Sequence, residues 1–276
     1  MTRRHLISTA TTAVAAASLQ AQAPNSAAAR YVRFQAGSKT AYGVLEGDAV
    51  HELTGSYLHG AKKKGAKHPL SSVMLLAPVE PPKILAVGLN YKSHLGSRTP
   101  PTKPELFFKP NTCLQKPGGD IVIPAASKNT HYEGELVLVI SKRLRNASRE
   151  EAQAAIFGVT CGNDVSERDW QKDDLQWWRA KGCDTFGPVG PWVATGLNYG
   201  NLLLQTRLNG EVVQKQSTSD LLFDCPAMVQ FASQYVTLEP GDIIFTGTPQ
   251  TTTKMGRGDT VEVDIEGVGV LRNKVA

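Results

Sequence analysis

The sequence has few cysteines and no closely spaced pair of them. Its 276 residues include four cysteines, and no two are separated by two residues. Neither a zinc knuckle nor a thioredoxin-like redox motif is therefore indicated. The thiols need not be paired, although a disulfide bond is an alternative if the protein is exported. The four are Cys113, Cys161, Cys183 and Cys225.

Long runs of one residue class are also scarce. The chain is 41% hydrophobic and carries a formal net charge of +5, which suits a protein with a full core. It has no Lys/Arg stripe interleaved with aromatic residues, so nucleic acid is not expected as a partner. No stretch after the N-terminus is apolar for long enough to span a membrane. The densest basic run, "AKKKGAKH" at residues 61–68, is expected to be a solvated turn.

Acidic residues are missing from residues 1–45. Arg3-Arg4 is followed by an Ala/Thr/Ser-rich run and by the small-residue sequence Ala21-Gln22-Ala23. These features are typical of a signal peptide, and the paired arginines resemble a twin-arginine leader. We therefore expect a targeting segment at residues 1–29 and export to a periplasm. A mitochondrial or cytoplasmic location is the alternative, because transit peptides are also rich in Arg and Ser and poor in acids.

After this segment the pattern is mostly that of strands. Residues 30–80 alternate apolar and polar residues around glycines, which predicts a small N-terminal β domain. Residues 81–276 hold many strand-like segments, among them "DIVIP" at 120–124, and a hairpin turn at Asn209-Gly210. The best helical patterns are "SREEAQAAI" from Ser148 and "CPAMVQFASQYV" from Cys225. The sequence predicts a β-rich α+β fold, a roll or sandwich with flanking helices.

Three carboxylates mark a candidate metal site. Glu133 and Glu135, in "THYEGELVLVI", are two residues apart next to an apolar run, so in a strand they share one face. Asp164 follows Gly162-Asn163 at the end of another apolar segment. Solvated or ion-paired carboxylates on an exposed strand are the simpler interpretation of the two glutamates. Three oxygen ligands without Cys or His favour Mg²⁺, Mn²⁺ or Ca²⁺ over zinc.

The order of motifs resembles one enzyme family. "VGLNYKSH", "ELFFKP", Glu133-x-Glu135, Asp164 with "SERDWQ", "AKGCDTFGPVGP" and "GDIIFTGTP" follow one another between residues 83 and 276. In this arrangement the chain resembles the fumarylacetoacetate hydrolase family, in particular its bacterial acylpyruvase and diene-dioate isomerase members. The resemblance implies a mixed β-roll, a homodimer, a small oxo-acid substrate and a Mg²⁺ or Mn²⁺ ion held by the three carboxylates.

The resemblance also assigns roles to residues outside the acidic cluster. Lys181 matches a lysine that stabilises a developing enolate, although a surface lysine is the simpler interpretation of such a residue. Arg168 and Gln171 are three apart, so they share a face if a helix starts after Ser166, and they match substrate contacts. A structural ion pair is the alternative for Arg168. Thr248 matches a substrate-loop threonine, or belongs to a structural turn. Weaker candidates for the same cleft are Tyr91 and Lys109.

His94 is the candidate general base, because a histidine titrates near neutral pH. It matches a histidine of the family's lid, where hydrolytic members commonly have a glutamate three residues later. This chain has Ser97 at that position. The leading prediction is a hydrolase of a C–C bond in acylpyruvate-type 2,4-dioxo acids. An enol isomerase or decarboxylase is the close alternative, and a non-catalytic oxo-acid binder is a third.

Overall fold

A computed structural model describes residues 28–276 of the chain. The predicted targeting segment, residues 1–29, therefore lies almost wholly outside the described residues. Over residues 28–276 the chain forms eighteen strands and four short α-helices. The predicted β-rich α+β class is confirmed.

The N-terminal unit is an antiparallel meander. Glycines with positive φ, Gly37 and Gly47, occupy two of its tight turns, where a residue with a Cβ atom would be strained. The predicted solvated turn at residues 61–68 is wrong, because most of this run forms an exposed edge strand. Lysines on an edge strand discourage pairing with another chain. The strands are β1 (Arg30–Ala36), β2 (Lys39–Glu46), β3 (Ala49–Leu53), β4 (Lys63–Pro69) and β5 (Met74–Leu75).

The remaining strands form the larger part of the protein. They are β6 (Ile84–Gly88), β7 (Glu105–Lys109), β8 (Leu114–Gln115), β9 (Thr130–His131), β10 (Gly134–Ile140), β11 (Ile156–Asn163), β12 (Ser166–Glu167), β13 (Gly187–Ala194), β14 (Leu203–Leu208), β15 (Glu211–Ser217), β16 (Ile243–Phe245), β17 (Thr260–Ile265) and β18 (Gly269–Lys274).

One mixed sheet runs through both parts of the chain. Its strand order is β4-β3-β2-β1-β13-β11-β10-β16-β6-β7, with β5 paired to β1 and β8 paired to β13. The pairs β16–β6 and β13–β8 are parallel and the others are antiparallel. Since β1 pairs with β13, the N-terminal meander extends the large sheet. A separate sheet has the order β15-β14-β17-β18, and β9 pairs with β12.

The predicted strand "DIVIP" is wrong. Ile121 forms only an isolated bridge with Val275, although its side chain is fully buried. The predicted hairpin at Asn209-Gly210 is confirmed, with both residues at positive φ between β14 and β15. Positive φ at both turn positions is the geometry that matches the twist of paired strands.

Four helices flank the sheets. The two helices predicted from the sequence are confirmed, and the first begins with a capping box between Ser148 and Glu151. The helices are α1 (Arg149–Ala155), α2 (Arg168–Asp173), α3 (Trp178–Gly182) and α4 (Cys225–Tyr235). In the range 28–276, no helix has both the length and the apolar character required to cross a bilayer.

Strand β10 lies at the centre of the core. Every residue in it is buried. Leu136, Leu138 and Ile140 pack on one face, against the four-stranded sheet and α4. Val137 and Val139 pack on the other face. Since each buried aliphatic side chain contributes about 1.5–3 kcal/mol, the strand gives the acidic residues at its N-terminal end a rigid base.

Candidate active site

The structure brings the three predicted carboxylates together. Glu135 lies in β10, Glu133 lies just before it, and Asp164 directly follows β11. The two strands are antiparallel neighbours, with Glu135 opposite Gly162, so Asp164 comes to the end of β10 that carries the glutamates. One oxygen from each of the three side chains lies within 4.8 Å of the others. All three residues are buried, with at most 4% of their surface exposed.

Two glycines allow this close arrangement. A Cβ atom on Gly162 would collide with Val137 and with the Phe245 ring. A Cβ atom on Gly134 would collide with the Thr206 hydroxyl. Any larger residue at either position would push the strands apart and displace the carboxylates.

Three basic side chains surround the acidic cluster. Lys181 Nζ donates to Glu133 Oε2 and lies 2.7 Å from Asp164 Oδ2. Arg168 Nη2 lies 2.6 Å from Glu133 Oε1. Lys109 Nζ lies 2.6 Å from Asp164 Oδ1. Glu133 and Asp164 are thus each paired with two cations.

Glu135 is the exception. In the described part of the chain it forms no ion pair and accepts one hydrogen bond, from Gly247 N at 2.7 Å. Burial, and then the charges of Asp164 and Glu133, raise the pKa of Glu135 well above its usual range. Burial also opposes ionisation of Glu133, but Arg168, Lys181 and His94 outweigh it and hold the pKa of that carboxyl below its usual range.

This imbalance fits a divalent cation. A buried carboxylate without a cationic partner is costly, and a divalent cation between the three side chains would relieve the cost at Glu135. The donors are all carboxylate oxygens, which is the ligand set of hard ions such as Mg²⁺, Mn²⁺ and Ca²⁺. The cluster therefore has the donor chemistry of a divalent metal site.

The cluster lies in the wall of a cavity of about 800 Å³. Predicted site residues that also line it are His94, Arg168, Gln171, Lys181 and Thr248. Two further cations, Arg98 and Lys172, line the same cavity. The structure thus gathers eight of the ten predicted site residues around one space.

Tyr91 and Lys109 lie behind the cavity wall. Lys109 is buried, and its Nζ is taken up by Asp164 and by the carbonyl groups of Lys181 and Phe186. Tyr91 is fully buried, and burial raises the pKa of its hydroxyl above the usual range. That Tyr91 and Lys109 contact a substrate stays a prediction, and their placement behind the cavity wall does not support it.

His94 lies beside the cluster in the lining of the cavity. Its Nε2 lies 3.8 Å from Glu133 Oε1, and its Nδ1 is hydrogen-bonded to the carbonyl of Gln250. Burial is the main reason that the pKa of His94 lies below its usual value. The ring is therefore neutral at neutral pH and can accept a proton.

Arg168 and Gln171 share a face of α2, as their spacing predicts. Arg168 Nη1 donates to Gln171 Oε1 at 2.7 Å. The helix is capped by Glu167, whose Oε2 accepts a hydrogen bond from Trp170 N at 2.7 Å. Thr248 Oγ1 donates to Gly134 O at 2.9 Å and accepts a bond from Gln214. The cap and these bonds fix the helix and the threonine against the acidic cluster.

Three hydrogen-bonded residues beside Arg168 have no clear signal in the sequence; they are Thr252, His131 and Asn129. Arg168 Nη2 donates to Thr252 Oγ1 at 2.6 Å, and Thr252 Oγ1 lies 3.0 Å from His131 Nδ1. His131 Nε2 lies 2.9 Å from Asn129 Oδ1. Burial and the charge of Arg168 lower the pKa of His131 to about 4. His131 stands in the same short stretch as Glu133, which was the only hint available.

Comparison with known proteins identifies the family. The family described as "Fumarylacetoacetate (FAA) hydrolase C-terminal" matches residues 83–276, and one described as "Rv2993c-like, N-terminal" matches residues 29–78. The chain belongs to the fumarylacetoacetate hydrolase family. The predicted resemblance is confirmed, and the chain is an enzyme of this family. The exact division into domains at residue 80 stays a prediction.

Three similar proteins show the range of activities in the family. The chain is similar to a 2-hydroxyhepta-2,4-diene-1,7-dioate isomerase from Mycobacterium marinum, with 40% identity, a TM-score of 0.85 and coverage of 90% of this chain and 98% of the other. A maleylpyruvate hydrolase from Sphingobium, solved with Mn²⁺ and pyruvate, shows 31% identity, a TM-score of 0.75 and coverage of 90% and 98%. The mitochondrial oxaloacetate tautomerase Fahd2a of Rattus norvegicus is 37% identical over 75% of this chain and 71% of its own.

These comparisons support a divalent metal ion as the cofactor class and correct one expectation. The predicted export is wrong, because a relative whose description gives a location, the rat tautomerase, is mitochondrial. The twin-arginine-like residues on which export was predicted lie outside the described residues. The predicted homodimer stays a prediction.

Proposed function

We propose that the protein is a divalent-metal-dependent isomerase that interconverts the keto and enol forms of a small 2-oxo dicarboxylate. The observation that carries this proposal is the placement of a base and an acid around one carboxylate. His94 Nε2 faces Glu133 Oε1, whereas Lys181 Nζ binds Glu133 Oε2. A substrate carbon and its neighbouring oxygen that lie over this carboxylate would meet the base and the acid together.

The charge around the cavity supports an anionic substrate. The metal, when bound, supplies Lewis-acid polarisation of the 2-oxo group. Arg168 offers a planar guanidinium, which binds a carboxylate through two parallel hydrogen bonds. Arg98 and Lys172 line the same cavity and form no ion pair in the described part of the chain. They provide positive charge for a second carboxylate.

The proton transfer uses two side chains of this chain. His94 Nε2 takes a proton from the carbon next to the oxo group. The electron pair of the broken C–H bond forms the new C=C bond, and the π pair of the C=O bond moves onto the oxo oxygen. The Lys181 ammonium donates a hydrogen bond to that oxygen as its charge develops. His94 then returns its proton to this oxygen, which completes the enol. The reverse sequence gives the keto form, so atoms and charges balance.

Hydrolysis of an acylpyruvate is the second candidate. A cavity of about 800 Å³ has room for such a substrate, and the similar Sphingobium protein is a maleylpyruvate hydrolase. We place isomerisation first because Ser97 stands where hydrolytic members of the family commonly have a glutamate three residues after the lid histidine.

The test follows the ultraviolet enol band of the substrate with purified protein and Mn²⁺. With oxaloacetate, we expect the protein to speed the approach of the band to its keto–enol equilibrium, without release of CO₂. Release of CO₂ and pyruvate would instead show decarboxylation. Loss of an acylpyruvate band together with release of acid would favour hydrolysis. No change with any oxo acid, despite tight binding, would overturn the enzyme proposal.

His94→Gln is the informative variant. It removes the base nitrogen but leaves the acidic cluster intact, so we expect Mn²⁺ binding to persist while the rate falls by at least about a hundredfold. Glu105→Gln is a matched control, because Glu105 is an exposed residue of β7 that does not line the cavity. A His94→Gln variant as fast as wild type would remove His94 from the proposed reaction.

A further inference from the structure

His94 can have only one neutral form in this structure. Its Nδ1 is hydrogen-bonded to the carbonyl oxygen of Gln250. A carbonyl oxygen only accepts hydrogen bonds, so Nδ1 must carry the proton. The other ring nitrogen, Nε2, then has a free lone pair, and it faces the acidic cluster. The tautomer needed for proton abstraction is therefore imposed by the Gln250 carbonyl.

Gln250 is itself held in an unusual conformation. Its φ is +55°, in the left-handed region that favours glycine. Its backbone N–H donates to Ser93 Oγ at 3.0 Å, and its side-chain Oε1 accepts from Lys215 N at 2.6 Å. These two hydrogen bonds, one made by the backbone N–H of Gln250 and one by its side chain, thus aim the Gln250 carbonyl at His94.

Further hydrogen bonds connect Ser93 to Gln216 and then to Asp220. Ser93 Oγ accepts from Gln250 N and donates its own proton to Gln216 Oε1 at 2.5 Å. Gln216 Nε2 donates to Asp220 Oδ2 at 3.1 Å. The carboxylate of Asp220 only accepts, which fixes the orientation of the Gln216 amide. Each group has one possible role, so the whole series is consistent with a single arrangement of protons.

We propose that Ser93, Gln216, Asp220 and Gln250 form a positioning relay that holds His94 in its Nδ1–H tautomer. The relay does the orienting work that an acidic side chain at Ser97 would otherwise do. It ties the short turn carrying His94 to β15 and thus to the four-stranded sheet. The kinetic part of this inference rests on the proposed function, because it takes His94 as the base.

A second histidine in the same cavity provides an internal control. Arg168 donates to Thr252 Oγ1, so the Thr252 hydroxyl is free to donate to His131 Nδ1. His131 Nε2–H then donates to Asn129 Oδ1, while the Asn129 amide nitrogen donates to Asp169. His131 is therefore expected in the opposite tautomer, with the proton on Nε2.

Nuclear magnetic resonance can read both tautomers directly. The probe is the full chain with ¹⁵N-labelled histidine, loaded with diamagnetic Mg²⁺ at pH 8, with signals assigned from His94→Gln and His131→Gln. We expect a protonated Nδ1 at His94 and a protonated Nε2 at His131. A protonated Nε2 at His94 would overturn the relay. This NMR measurement needs no substrate, so its outcome does not depend on whether the proposed function is correct.

The relay variants test the consequence for rate. Ser93→Ala removes the hydroxyl that links Gln250 to Gln216, and we expect kcat to fall by about tenfold to a hundredfold with KM changed by less than about twofold. Ser93→Thr keeps the hydroxyl and should restore kcat. Ser219→Ala, which removes a nearby exposed hydroxyl outside the relay, should match wild type.

The same variants should also change the histidine spectrum. In Ser93→Ala we expect His94 to show a mixture of tautomers, while His131 keeps its wild-type signals. Gln216→Leu, which removes the acceptor of the Ser93 proton, should act in the same direction if Ser93→Ala does not fold. Wild-type kcat and an unchanged His94 tautomer in these variants would overturn the proposal.

Discussion

Lys109 Nζ lies 2.6 Å from Asp164 Oδ1, on the side of the carboxylate away from the cavity. Both side chains are buried, and the same ammonium donates to the carbonyl oxygens of Lys181 and Phe186. Lys109 therefore supports the acidic cluster from behind. Its ammonium group fixes the Oδ1 atom of Asp164, and the carboxylate group faces Glu133 and Glu135.

The first prediction concerns this support. Lys109→Met keeps most of the volume but removes one of the two cations paired with the buried Asp164 carboxylate, and it leaves the Lys181 carbonyl without this donor. We expect the free energy of unfolding to fall by about 3–5 kcal/mol, measured by urea unfolding with a chelator present. Lys63→Met is the matched control, because Lys63 pairs with Glu46 on an exposed edge strand. Equal unfolding midpoints for Lys109→Met and wild type would contradict this role.

The second prediction separates metal binding from stability at Glu135. Glu135→Gln replaces the one carboxyl of the buried cluster that has no cationic partner among the described residues, and whose pKa is raised by burial and by its acidic neighbours. We expect the metal-free variant to unfold at a higher urea concentration than the metal-free wild type, because the buried amide carries no charge and needs no proton. Mn²⁺ binding, followed by calorimetry, should be lost.

Glu105→Gln is the control for the same measurement. Glu105 is exposed on the edge strand β7 and is not one of the three clustered carboxylates. The variant should bind Mn²⁺ as wild type does. If Glu135→Gln bound Mn²⁺ with unchanged affinity, Glu135 would not be a ligand.

The third prediction concerns the four thiols, which are free in the structure. Burial raises the pKa of Cys113 above its usual value, and it raises the pKa of Cys225 to about 12. Since the thiolate is the reactive form, these thiols should resist Ellman's reagent in the native protein. Cys183 is only half-buried and should react first. Mass spectrometry of the labelled peptides, with Cys183→Ser as control, checks the order; earlier labelling of Cys225 would contradict it.

The sequence predicts the features that depend on local chemistry. The spacing of Glu133 and Glu135, the turn at Asn209-Gly210 and the helical pattern that starts at Ser148 each depend on a few neighbouring residues. Such short-range signals are readable from residue types alone. The match of Asp164 to the two glutamates came from the order of motifs, and the register of β10 and β11 gives the physical reason for it.

The features that sequence reasoning missed depend on distant contacts. Ile121 has a strand-like pattern, but the backbone hydrogen bonds of its segment with residues 274–276 amount to one isolated bridge and not to a strand. Lys109 was expected to contact a substrate, whereas its ammonium is used by buried oxygens. The Gln250 carbonyl that orients His94 has no sequence signal at all, because every residue carries a carbonyl group and only the fold decides where it points.

The last prediction concerns the stability of the protein in acid. The pKa of His131 in the folded protein is about 4, because burial and Arg168 disfavour its charged form. In the unfolded chain a histidine titrates near 6.5. Between these values the unfolded state binds the extra proton, so the contribution of the neutral ring to stability is complete above about pH 6.5 and is lost as the pH falls toward 4.

His131→Gln removes this titration. We expect the loss of unfolding free energy between pH 7 and 4.5, measured by urea unfolding with a chelator present, to be smaller in the variant by about 1–2 kcal/mol after allowance for solvent screening of the half-buried ring. His59→Gln, a change in an exposed turn, serves as the control. Parallel pH profiles for wild type and His131→Gln would show that the ring is not held neutral by burial and Arg168. A steeper profile for the variant would reverse the sign of the effect and contradict the assigned proton positions.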